Sequence, residues 1–85
     1  VGSWEEVYQL SEKNSDGNAV TGNVFSEMTI DSYIYSPNKF TAVLGVDNLI
    51  VINTDDALLI CRRDQSQEVK KVVDHLKINK LTDHL

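Results

Sequence analysis

Residues 28–58 read MTIDSYIYSPNKFTAVLGVDNLIVINTDDAL, and two patterns compete within them. Met28, Ile34, Phe40, Val46, Ile52 and Leu58 stand six residues apart without a break. Neighbouring registers are interrupted, for instance by Ser36, Asn48, Asp55 or Asp56. An apolar residue every six positions suits a β-helix, in which three short strands build one triangular coil and each sends a side chain to the axis. The second pattern is local. Two apolar runs within residues 48–61 are parted by Asn53, Thr54, Asp55 and Asp56. Those residues suit either the tip of a hairpin or the corner of a coil, since Asn, Asp and Thr bond turn backbone with their own side chains. The six-residue register favours the corner, with Ile52 and Leu58 both inward.

Working outward, residues from about 20 to 61 are rich in β-branched and aromatic types, including Phe25, Ile30, Tyr33, Tyr35 and Val43, which favour strands. Upstream, Ser3-Trp4-Glu5-Glu6 fits a capping box, and Trp4, Val7, Tyr8 and Leu10 give an apolar face at helical spacing. A helix is expected over about 4–11. Residues 13–18, KNSDGN, read as a turn because Asp-Gly supplies positive φ. Downstream, Val69, Val72, Val73 and Leu76 fall at i, i+3, i+4 and i+7, with Lys70, Lys71, Asp74 and Lys77 elsewhere. A helix over about 65–78 follows, capped by Asp64 with Gln67 and stopped near Asn79. Its valine stripe is expected to lie over an open face or end of the β layer, and the tail KLTDHL to fray.

The 85 residues make one small domain, which buries only about 60–65% of its unfolded surface. With 13 acidic and 8 basic residues the net charge is −5, which disfavours a nucleic-acid partner. No apolar run approaches the roughly 18 residues of a membrane span. The lone Cys61 has no internal disulfide partner, which points to a reducing, cytoplasmic setting. The chain opens on Val1 rather than Met and reads as a piece of something longer.

Chemistry-bearing residues are sparse. Neighbours on a strand point to opposite faces, so Asp55-Asp56 is poorly arranged as an acid/base pair. Metal binding there would need further convergent ligands, which makes a metal-dependent hydrolase the weakest reading. Cys61 reads as a buried, inert thiol. His75 and His84 lie too far apart to begin a zinc site. Arg62, Arg63, Lys70 and Lys71 read as solvated charges. The four glycines are scattered, so no phosphate-cradling loop appears. These residues give no catalytic, cofactor or metal site.

Several stretches match one family in order: Val1-Gly2-Ser3-Trp4, Asp16-Gly17-Asn18, Gly22-Asn23-Val24, Tyr33-Ile34-Tyr35-Ser36, residues 44–51 (LGVDNLIV), Thr54 with residues 56–59 (DALL), and residues 67–73 (QEVKKVV). Together the chain resembles the C-terminal part of bacterial mannose-1-phosphate guanylyltransferases, some of which are fused to a mannose-6-phosphate isomerase domain. The resemblance implies a short, single-stranded left-handed parallel β-helix, mainly β, flanked by an N-terminal and a C-terminal α-helix. The family joins GTP to mannose 1-phosphate to give GDP-mannose. Its nucleotide loop, sugar-phosphate lysine and a magnesium-binding aspartate lie before this chain. The resemblance therefore implies no cofactor here and Mg2+ for the parent. It implies as partner the parent's nucleotidyltransferase domain, with a subunit contact as a further expectation. Cys61-Arg62-Arg63 departs from the family's usual small or apolar residue followed by a mixed pair. A free-standing interaction module with exposed strand edges is the competing reading.

Overall fold

The computed structural model describes residues 3–78. Helix α1 spans Trp4–Leu10 and is capped by Ser3, whose Oγ accepts the Glu6 N–H at 3.3 Å. Four strands follow: β1 (Ala19–Glu27), β2 (Tyr33–Leu44), β3 (Leu49–Asn53) and β4 (Leu58–Arg62). A 3-10 helix, Arg63–Glu68, leads directly into α2, Val69–Ile78.

The strands wind as a parallel β-helix. Ala19–Gly22 of β1 lie beside Tyr33–Ser36 of β2, so the coil repeat is 14 residues there (Ala19 to Tyr33). Further along, Val24–Glu27 lie beside Thr41–Leu44, Ile30 bridges Asp47, and Tyr33–Tyr35 lie beside Ile50–Ile52. There the repeat is 17 (Val24 to Thr41, Ile30 to Asp47, Tyr33 to Ile50). The step between the two repeats falls where Pro37, Asn38 and Lys39 bulge outward beside Gly22. Gly22 sits at φ +100, and a Cβ there would meet the Ser36 carbonyl oxygen at 1.9 Å. Only glycine permits that approach.

Left-handed residues mark the corners. Gly17, Asp31 and Asn48 stack at one corner, at φ 78, 55 and 56. Met28 and Gly45 form another, at φ 49 and 65. The corner bonds repeat with the coil: the Asp31 N–H donates to the Asp16 carbonyl, the Asn48 N–H to Ile30 and the Gly45 N–H to Glu27. Each left-handed residue thus bonds the carbonyl that precedes its counterpart one coil below. Asn18, buried beside the first corner, accepts the Ser32 N–H at 2.9 Å and donates to the Thr29 carbonyl at 2.8 Å. Buried Ser32 in turn accepts the Leu49 N–H at 3.1 Å. Among the described residues, no buried side-chain polar atom lacks a partner. That satisfaction matters, because an orphaned buried group costs about 1–3 kcal/mol.

Side-chain alternation divides the core in two. Inside the coil, Ile34, Val43 and Val51 pack with Val24, Val46 and Leu49. On the opposite face of the sheet, Ala19, Tyr33, Ile50 and Ile52 are closed over by Tyr8, Trp4 and Val7 of α1.

This arrangement corrects the six-residue file. Ile34 is fully buried inside the coil and Val46 packs against the same cluster. Met28, Phe40 and Leu58 are instead exposed, at 82%, 67% and 60%. Ile52 is buried, but under α1. The cause is parity. A true repeat of 17 stacks Ile34 on Val51, so Ile52 stacks on Tyr35 and points to the other face.

The last strand corrects the other sequence expectation. β4 returns antiparallel to β3, with Ile52 opposite Leu59 and Asn53 opposite Leu58. Residues 54–57 are therefore a hairpin turn, closed by the Thr54 N–H to the Ala57 carbonyl at 2.9 Å.

The C-terminal stripe is also placed differently. Val69 and Val73 face Trp4 and Val7 across an open groove of about 570 Å3 rather than covering the β layer. Leu76 is half-buried and Val72 exposed. Asp64 lies in the 3-10 helix and pairs with Arg62, so it does not cap α2. The expected stop at Asn79, the tail and His84 lie outside the described residues.

A clamped corner as the candidate functional site

Arg63 joins three elements at the stacked corner. β4 delivers it there by turning back along β3, so that the Arg63 N–H donates to the Asn48 carbonyl at 2.7 Å. Nε and Nη2 of its guanidinium grip the two carboxylate oxygens of Glu5 on α1, each at 2.9 Å. Nη1 donates to the Asp31 carbonyl at 3.0 Å and to Asn48 Oδ1 at 3.3 Å. The guanidinium carbon stands 3.9 Å from the centre of the Tyr8 ring. Tyr8 completes the column by donating its hydroxyl to the Gly17 carbonyl at 2.7 Å.

The electrostatics follow from these contacts. The Arg63 hydrogen bonds hold the Glu5 carboxyl below its ordinary 4.5, with burial opposing them. Burial pushes the Tyr8 hydroxyl above its ordinary 10.0. A planar fork on a carboxylate is the strongest ion-pair geometry available to a side chain, and stacking on a ring adds to it.

Beside the clamp lies an open cleft of about 680 Å3, lined among others by Ser3, Asp47, Arg62, Asp64 and Gln67. Its guanidinium groups are already paired, Arg62 to Asp64 at 2.5 Å and Arg63 to Glu5. Little positive charge is left for a phosphate. The arrangement is suited to holding α1 at a fixed angle to the coil.

The residues singled out from sequence are scattered around this point. Asp55 and Asp56 are exposed in the hairpin turn, where Asp55 accepts from Asn38 Nδ2 at 3.1 Å. Cys61 is half-buried beneath α1, and burial pushes its thiol above the ordinary 9.0. His75 stands on α2. Lys71 pairs with Glu68 at 2.6 Å, and Lys70 lines the groove between α1 and α2. Among the described residues no three His, Cys, Asp or Glu side chains converge as a metal group. No helix of the described residues is long and apolar enough to cross a membrane. In sequence Arg63 is one of four apparently solvated cations, and sequence reasoning misses its role. Its partner Glu5 is 58 residues away, so no local spacing joins them.

Fold and clamp together define a short parallel β-helix module with a helix locked to its corner. The chain belongs to the family described as the MannoseP isomerase/GMP-like beta-helix domain, which matches residues 22–76. It is 43% identical over 84 residues to a mannose-1-phosphate guanylyltransferase of Salmonella muenchen, covering 99% of this chain and 18% of that protein. Its identity to a mannose-1-phosphate guanylyltransferase of Escherichia coli strain K12 is 37% over 84 residues, with the same coverages of 99% and 18%. The chain thus spans less than a fifth of the length of these curated relatives. Among solved structures, that of a mannose-1-phosphate geranyltransferase from Thermus thermophilus superposes with a TM-score of 0.79 at 28% identity. That match covers 91% of this chain and 24% of the other.

Proposed function

We propose that this module is the C-terminal, non-catalytic part of a cytoplasmic mannose-1-phosphate guanylyltransferase, which forms GDP-mannose and pyrophosphate from GTP and mannose 1-phosphate. The observation that carries this reading is the match of nearly the whole chain to one segment of several proteins of that name. The module's own work is mechanical: it holds α1 rigidly and supports the nucleotidyltransferase domain. The magnesium ion that such chemistry uses finds no matching donor set among the described residues, so no step of the reaction is assigned to them. The single unpaired cysteine accords with a reducing compartment.

The test is to express the whole reading frame that contains this chain, and separately residues 1–85. Each is supplied with GTP, mannose 1-phosphate and Mg2+, and GDP-mannose is measured by chromatography. Product from the whole protein and none from the 85-residue chain is the expected result. Product from the short chain overturns the non-catalytic assignment, and its absence from the whole protein overturns the activity.

A further inference from the structure

We propose that the outer wall carrying Phe25, Phe40, Ala42 and Leu44 is the face against which the remainder of the parent polypeptide packs. The inference rests on the reading above, that the module supports a larger catalytic domain in the same chain.

The wall arises from strand alternation. Where Val24–Glu27 pair with Thr41–Leu44, Val24 and Val43 point into the coil. Phe25, Ala42 and Leu44 must then point out, and Phe40 shares their face two residues before Ala42. Phe25 and Ala42 are direct cross-strand neighbours. Phe25 is 50% exposed and Leu44 59%. The chain has only two phenylalanines, and both stand on this wall. The core is built instead from Ile, Val, Ala and Tyr.

The contrast with the other outward face sharpens the point. Where the first half of β2 faces outward, Tyr33 and its neighbours Ala19 and Ile50 are buried because α1 covers them. The second half carries Phe40, Ala42 and Leu44 outward, with no polar atom among their side chains and nothing over them among the described residues. Glu27, paired with Leu44, supplies a carboxylate at the border, as the polar rim of an interface does.

The occupant follows from chain length. Relatives matching this chain over 99% of its length are more than five times as long, since it covers 18% of them. A domain on the same polypeptide meets the wall at an effective concentration of the order of millimolar. A free second copy must bind from dilute solution, and one wall of four side chains falls far short of the roughly 20–30 residues per side of a standard interface.

The experiment uses the full-length protein with Cys61→Ser and Phe40→Cys, followed by peptide-resolved maleimide labelling of position 40, natively and in urea. Native labelling slower than in urea by about tenfold or more, and unchanged over about a hundredfold dilution, is expected. Native labelling within about twofold of the urea rate overturns the proposal, because the wall is then open to water. Protection lost on dilution also overturns it, by assigning the wall to a second copy. Leu44→Cys repeats the measurement should Phe40→Cys fail to fold. GDP-mannose formation by the unmodified protein is read separately: product without protection sinks only the surface, and protection without product sinks only the activity.

Discussion

Replacing Arg63 by alanine removes, in one step, every side-chain contact that ties α1 to the stacked corner through this residue. The paired groups are 17% exposed on Arg63 and 33% on Glu5, so the bridge is neither a surface pair nor a buried one. With Glu5 one-third in water, a discounted value of about 1–2 kcal/mol is appropriate. Losing the bond to the Asp31 carbonyl adds about 1 kcal/mol, and losing the stack on Tyr8 about 0.5–1 kcal/mol. The total is about 3 kcal/mol, against a whole-domain stability of about 4–13 kcal/mol for a chain this size. The midpoint of thermal unfolding should fall by about 12–24 °C. Urea unfolding followed by the single Trp4 is the direct assay, because its ring lies 6.0 Å from Tyr33 and reports whether α1 is seated. A cycle with Glu5→Gln isolates the pair, with a coupling of about 1–2 kcal/mol expected. A loss below about 1 kcal/mol, or no coupling beyond error, would refute the clamp.

Three further outcomes follow from the same contacts. Because Glu5 titrates below its ordinary 4.5 in the folded chain, its contribution is complete above that value and is lost as pH falls through the lower folded pKa. Urea midpoints measured from neutral pH downward should therefore drop below about pH 5, and Arg63→Ala should flatten that drop. Gly22→Ala should cost about 3 kcal/mol or more, since its Cβ meets backbone oxygen at 1.9 Å, whereas Gly45→Ala, with nothing within 4 Å, should cost about 1 kcal/mol for its positive φ alone. Equal melting points for the two variants would contradict the coil geometry. Asn18→Ala should lose about 2–4 kcal/mol, because it strands the Ser32 N–H and the Thr29 carbonyl in a buried position. A near-neutral result by chemical denaturation would show that water replaces the amide.

How far the sequence reveals this structure depends on which residues carry the signal. The capped helix is legible because Ser3 and Glu6 declare it locally. The turn at Asp16-Gly17 is legible because glycine announces positive φ. Strand content is legible from β-branched and aromatic density, and the parallel coil from the resemblance. The length of the coil is not. Its corners are set by Met28, Asp31 and Asn48 as well as by glycines, and those side chains do not advertise a left-handed backbone. With the corners hidden, an even apolar spacing of six stands out where the backbone repeats at 14 and then 17. The odd repeat sends Ile52 to the other face, while Met28 sits at a left-handed corner, Phe40 follows the bulge in β2 and Leu58 opens the antiparallel strand. The candidate site is hidden for a different reason. Arg63 has the composition of a solvated cation, and only the fold brings Glu5 and Tyr8 to it.

The antiparallel end explains why the clamp stands where it does. Each coil bonds the carbonyl that precedes the left-handed residue below it, as the Asp31 N–H does with Asp16 and the Asn48 N–H with Ile30, which leaves the left-handed residues' own carbonyls to other donors. Here the chain turns back at Thr54–Ala57, and no further coil follows β4 among the described residues. The three carbonyls of the left-handed column are met in other ways: Gly17 by the Tyr8 hydroxyl, Asp31 by Arg63 Nη1 and Asn48 by the Arg63 backbone N–H. Tyr8 and Arg63 are themselves stacked. One aromatic–guanidinium pair thus serves every coil at that corner while fixing the orientation of α1. Movement of α1 would break the Tyr8 bond to Gly17, the stack on Arg63 and both Glu5–Arg63 bonds together, which ties the helix to the coil.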